Sequence, residues 1–122
     1  MKNYIALLMI ISLGLLFGCT KADEEDQKNV GTLTLPIAGF YFTGNDGPAP
    51  VTVTFHNTSE YSDKWEWTFK PSNSTSNEFE PSFTYHNNTG EDQTFLVILT
   101  AADSGTGETN TRSKSVLVHP SN

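Results

Sequence analysis

Lys64-Trp65-Glu66-Trp67-Thr68-Phe69 alternates large rings with charged and polar side chains. In an extended chain successive side chains point to opposite faces, so Trp65, Trp67 and Phe69 share one face and Lys64, Glu66 and Thr68 the other. That period of two, carried by aromatic residues, predicts a half-buried β-strand. The same pattern recurs on both sides of it. Val51, Val53 and Phe55 share a face against Thr52 and Thr54. Further on, Phe95, Val97, Leu99 and Ala101 oppose Leu96, Ile98 and Thr100, and a weaker segment, Arg112 to Val118, ends in Val116-Leu117-Val118.

Turn-forming clusters separate these runs: Gly44-Asn45-Asp46-Gly47-Pro48, Pro71-Ser72-Asn73-Ser74, Asn87-Asn88-Thr89-Gly90 and Ser104-Gly105-Thr106-Gly107. No stretch of the expected domain repeats its apolar residues at the helical period. From Pro36 to His119 there are 84 residues, enough for one small domain with one core. About seven short strands at this spacing predict an all-β fold, a single antiparallel sandwich.

Four motifs in order then carry a family resemblance. Pro48-Ala49-Pro50-Val51-Thr52-Val53-Thr54-Phe55-His56-Asn57-Thr58-Ser59 resembles the opening strand of PKD domains, which are immunoglobulin-like β-sandwiches. Trp65 to Phe69 lies where that family has its tryptophan strand, Glu80 to Tyr85 resembles the following strand, and Thr94 to Asp103 resembles the long strand near its end. The resemblance implies an immunoglobulin-like sandwich over 36–119, acting as a spacer or as a contact module for proteins and glycans. One departure matters chemically. The family's acidic Asp-Phe-Gly-Asp-Gly turn, sometimes associated with calcium, is replaced here by Thr68-Phe69-Lys70-Pro71-Ser72. Calcium wants six to eight oxygen ligands, usually several of them carboxylates. With the acids gone and Lys70 in their place, no metal or other cofactor is expected, even with Glu78 and Glu80 nearby in sequence. Pro71 leads into a polar tip, Asn73 to Asn77, expected to be a flexible loop.

The aromatic residues divide by position. Trp67 is expected in the core, and Trp65, nearer the strand edge, partly exposed. Tyr85 reads as a corner tyrosine, its hydroxyl tying a loop to the backbone. Tyr41, Tyr61, Phe79 and Phe83 are left as rings that could face solvent. A glycan-binding surface uses such rings as stacking platforms beside carboxylates, so Tyr61, between Glu60 and Asp63, is the first ligand-binding candidate, followed by Tyr41 and Trp65.

Catalytic signals are weak. There is no Gly-x-Ser-x-Gly elbow, no Cys–His pair and no glycine-rich phosphate loop. His56, His86 and His119 are scattered, without metal-ligand spacing, and read as surface or strand-end imidazoles. The expectation is a non-enzyme with no catalytic residue. Asn57-Thr58-Ser59, Asn73-Ser74-Thr75 and Asn87-Asn88-Thr89 fit a glycosylation pattern but read as turn chemistry, since Asn and Thr bond their own backbone in turns.

The N-terminus speaks to location. Lys2 precedes an uncharged run, Ile5 to Phe17, and Gly18 precedes Cys19, the one cysteine in the chain. The run is shorter than the roughly 20 residues of a spanning helix. Its order is that of a secretory signal, and Leu16-Phe17-Gly18-Cys19 resembles the lipobox of bacterial lipoproteins. The resemblance implies a signal peptide at 1–18 and acylation of Cys19 with palmitate-type chains. A tether over 19–35 follows, opening on Asp23-Glu24-Glu25-Asp26, a run expected to be solvated and disordered. That run resembles the acidic export tag of Bacteroidota lipoproteins, which implies the outer membrane with the domain facing the exterior.

Charge narrows the partners. The chain has 7 Lys and Arg against 14 Asp and Glu, a formal charge of −7. Cleavage after residue 18 removes one cation, Lys2, and takes it to −8. With no basic stripe, nucleic acid is not an expected partner. The expected partners are a membrane, through the lipid on Cys19, and a protein or glycan. Two functions fit: a noncatalytic cell-surface interaction module, or an accessory subunit of an outer-membrane glycan-capture or uptake complex. A purely structural part in a surface assembly is a third.

Overall fold

The computed structural model describes residues 33–122, and the expected signal peptide, Cys19 and the acidic run lie outside the described residues. Seven strands follow in order: β1 Phe40–Thr43, β2 Val51–Asn57, β3 Lys64–Phe69, β4 Ser74–Ser76, β5 Ser82–Tyr85, β6 Gln93–Ala102 and β7 Thr109–Val118. They form a three-stranded sheet, β1-β2-β5, and a four-stranded sheet, β4-β3-β6-β7, with every pair antiparallel. No described residue is helical. This is the all-β antiparallel sandwich expected from the alternation, of the immunoglobulin-like kind that the resemblance implied, and its compact unit is Leu35–Asn122.

The inward faces are the ones the alternation assigned. Val53, Phe55, Trp67, Val97, Leu99, Val116 and Val118 are fully buried, with Phe69 and Tyr85 nearly so. The rings bridge the two sheets. Phe55 of β2 lies 5.6 Å from Trp67 and 5.4 Å from Phe69, both on β3, and Phe40 of β1 meets Trp67 edge-on at 5.1 Å. Edge and tilted contacts of this kind add to the burial of each ring. Trp67 also satisfies its indole N–H, which donates to the Glu78 carbonyl at 2.9 Å.

Turns are closed by their own side chains. Asn57 Oδ1 accepts from the Ser59 amide at 2.9 Å, and Asn87 Oδ1 accepts from the Thr89 amide at 3.1 Å. Gly44, after β1, sits at φ 104°, where a Cβ would come within 2.6 Å of the Thr52 carbonyl oxygen. No side chain fits there without moving β2.

Three expectations need correction. Asn73–Asn77 is not simply a flexible tip: Ser74–Ser76 forms β4, an edge strand paired with Trp67–Phe69. Tyr85 does not tie a loop, because its hydroxyl is buried without a hydrogen-bond partner and its ring packs in the core. Burial with no compensating acceptor pushes the phenol's pKa well above its ordinary value. Phe83 turns in rather than out, stacking on Phe69 at 4.6 Å. Glu80, just before β5, bonds His56 of β2 at 3.2 Å.

Trp67→Ala should cost about 3–5 kcal/mol, the usual price of emptying a large aromatic site, with Trp67→Phe costing clearly less. Urea unfolding of both variants checks this. Equal, small losses would show that the ring does not join the sheets.

Candidate functional site

Three residues were singled out from sequence, and they sit in three settings. Tyr41, on β1, points outward and is 52% exposed. Directly opposite it on β2 is His56, and the two rings stack at 4.6 Å. The imidazole is held at both nitrogens, Nε2 by Thr43 Oγ1 and Nδ1 by Glu80 Oε2, each at 3.2 Å. Tyr41 thus belongs to a small polar platform on the outer face of the three-stranded sheet. Sequence reasoning missed His56 and Glu80 as its members. Only the cross-strand register brings them together.

Tyr61 is in the β2–β3 connection, 61% exposed, with φ 54°. The left-handed region costs an L-residue roughly 1–2 kcal/mol. The segment is fixed on both sides of it. Glu60 exchanges two backbone hydrogen bonds with Ile37, at 2.9 and 3.0 Å, and the Asp63 amide donates to the Ala102 carbonyl at 2.9 Å. Tyr61 is therefore held out as a ring on a strained backbone between two anchored points.

Trp65 is half-buried at the start of β3. Its indole N–H donates to Ser62 Oγ at 3.1 Å, and Phe79 meets its ring edge-on at 4.8 Å. Beside it lies an open depression of about 450 Å³, lined by Asp63, Lys64, Trp65, Glu66, Asn77, Thr100 and Ala102. This is within the size range of ligand sites, but it is open rather than an enclosed cleft. Asp63 forms one wall. Its carboxylate accepts from the Ser104 hydroxyl and, at 2.9 Å, from the Ser104 amide. Those two bonds hold its pKa below the ordinary carboxylate value, so at neutral pH it is an ionised acceptor with no proton to give. Tyr61, in the β2–β3 connection, and Trp65, at the start of the strand it leads into, are thus close in sequence, while Tyr41 stands apart on a sheet face.

Among the described residues no group of three or more His, Cys, Asp or Glu side chains is placed to hold a metal ion. Where the family's acidic turn would be, Lys70 donates its amide to the Leu96 carbonyl, Ser72 Oγ caps the Phe69 carbonyl and Asn73 takes φ 60°. Asn tolerates that conformation better than most residues.

Comparison with solved structures agrees with this architecture. The PKD1 domain of Vibrio anguillarum Epp is similar at 27% sequence identity and a TM-score of 0.56, the match covering 71% of this chain and 96% of that one. The PKD1 domain from the Vibrio cholerae metalloprotease PrtV is similar at 23% identity and a TM-score of 0.57, covering 70% of this chain and 99% of that one. No protein-family profile matches the chain. No curated protein matches it either. The folded unit is a PKD-like domain, an immunoglobulin-like β-sandwich.

Tyr61→Gly removes the ring and releases the left-handed strain together. Thermal or urea unfolding should show stability held or raised by up to about 1 kcal/mol. A clear loss would mean the ring packs structurally rather than being displayed.

Proposed function

We propose that the chain is an exported lipoprotein, held in an outer membrane by Cys19, which displays its PKD-like sandwich at the cell surface as a noncatalytic interaction module. The observation that carries this reading is the order of parts. A short apolar run ends at the one cysteine, an acidic polar segment follows, and a small sandwich comes after it. A diacylglyceryl thioether plus an N-acyl chain would supply several buried chains, where a single chain anchors only marginally. An acidic segment is repelled by an anionic bilayer and carries the domain away from it.

The described residues offer contact surfaces rather than a reaction site. The depression beside Trp65 is open, and Asp63 within it is an ionised hydrogen-bond acceptor. The PrtV neighbour is a domain from a metalloprotease. The described residues of this chain carry no metal-ligand cluster with which to share that chemistry. A second reading, an accessory subunit of a glycan-capture complex, is favoured by one specific feature. Tyr61 is an exposed ring between Glu60 and Asp63 in sequence, and Asp63 lines the depression beside Trp65; a ring beside carboxylates is a platform on which a sugar face stacks.

Mass spectrometry of the mature chain, with protease shaving of intact cells, tests the anchoring. An acylated N-terminal Cys19, loss of the domain on shaving, and release of a Cys19→Ala variant from the membrane are the expected results. An unacylated mature chain would overturn the lipoprotein reading, and an acylated but shielded domain would overturn the surface placement.

A further inference from the structure

We infer that the free edge of β7 is a docking site for an extended protein segment that carries carboxylates at alternate positions. The inference rests on the interaction-module reading and assigns that module its partner chemistry.

β7 is a long edge strand, and its backbone direction can be read from its far end. The Leu117 carbonyl accepts from Asn45 Nδ2 at 2.9 Å, and the His119 carbonyl accepts from the Ala49 amide at 3.2 Å. Both donors come from the segment after β1, not from β6, so the odd-numbered residues here direct their backbone groups away from the sheet. By the alternation of an antiparallel ladder, Thr111, Ser113 and Ser115 do the same. Their amides and carbonyls find no hydrogen-bond partner among the described residues. Among the described residues the edge is therefore sealed at Leu117–His119 and open over Thr111–Ser115. It carries no proline, and it pairs with β6 residue for residue without a bulge. Unpaired edges of this kind are templates for another strand.

The flanks select what that strand carries. On the inward-facing side Arg112 and Lys114 follow Val116 and Val118 past the core, with Lys114 Nζ 5.4 Å over the Phe40 ring. Neither has an ion-pair partner among the described residues, where the ion pairs are His56–Glu80 and His119–Asp92. On the other side the β7 residues of the open stretch are the small hydroxyl side chains Thr111, Ser113 and Ser115, with Leu117, 41% exposed, at its end. An added strand thus meets two unpaired cations on one face and small polar side chains on the other. Carboxylates two residues apart complement the cations.

The same cations argue against a second copy. Antiparallel pairing of two β7 edges about Ser113 sets Arg112 of one copy directly opposite Lys114 of the other, and like charges at such positions repel. That register is disfavoured for a second copy, whereas the same two cations attract an acidic strand.

The test uses the full chain in detergent, titrated with a short peptide alternating valine and glutamate and with its lysine counterpart. The glutamate peptide is expected to bind and to slow exchange at the Thr111, Ser113 and Ser115 amides. Arg112→Glu combined with Lys114→Glu should weaken it by about tenfold or more, the effect of turning two attractive contacts repulsive. Ser113→Pro, which removes only an outward amide on an edge strand, should keep the fold and abolish binding. Equal binding of the lysine peptide would overturn the proposal. So would protection confined to other strands, although that result would leave the module a binding protein. Concentration-dependent dimerisation through β7 would also overturn it.

Discussion

Everything in this domain hangs on aromatic rings packed between two sheets, because no covalent cross-link is available to join them. The chain's single cysteine lies outside the sandwich, so there is no disulfide between β-sheets of the kind that pins many immunoglobulin-like folds. Phe40 and Phe55 from one sheet close on Trp67 and Phe69 from the other. Their burial supplies the non-directional attraction, and their tilted contacts fix how the sheets meet. Trp67 is the centre of this arrangement, fully buried and yet satisfied at its one polar atom.

That central requirement explains the distribution of the remaining residues. With inward positions given mainly to rings and aliphatic side chains, the polar groups of the candidate sites fall on sheet faces, edges and connections. The His56–Glu80–Thr43 platform, the Tyr61 connection and the Asp63–Ser104 tie all lie there. A sandwich this small keeps its chemistry on its surface, which suits contact better than enclosure of a substrate. The long β7 edge follows from the same topology. β4 caps the other side of its sheet with only three residues, and no strand of the smaller sheet crosses over to cover β7.

The sheet-forming alternation was legible where one face is apolar and the other polar, as in β2 and β3. It was not legible in β1, because Phe40-Tyr41-Phe42 puts an aromatic on the outward face as well and hides the period. β4 is Ser-Thr-Ser, with no apolar face at all, and exists because β3 offers it an edge to pair with. Phe83 and Tyr85 were misjudged for a related reason: the acceptor a hydroxyl finds, or the ring another ring stacks on, depends on the opposite sheet. Of the candidate site, the exposure of Tyr61 and the half-burial of Trp65 could be read from local pattern. The partners of Tyr41, and the separation of Tyr41 from the other two, follow from strand register and could not.

Native-state amide hydrogen exchange of the chain without ligand tests the account most directly, because it reads the buried sheets and the open edge together. Amides in the β2–β5, β3–β6 and β6–β7 ladders that the core protects should exchange slowest, including those of Arg112 and Lys114, which face β6. Thr111, Ser113 and Ser115 should exchange orders of magnitude faster, as solvent-facing amides without partners do. Slow exchange at those three positions would mean that the edge is already covered, and would contradict both the topology described here and the role assigned to it.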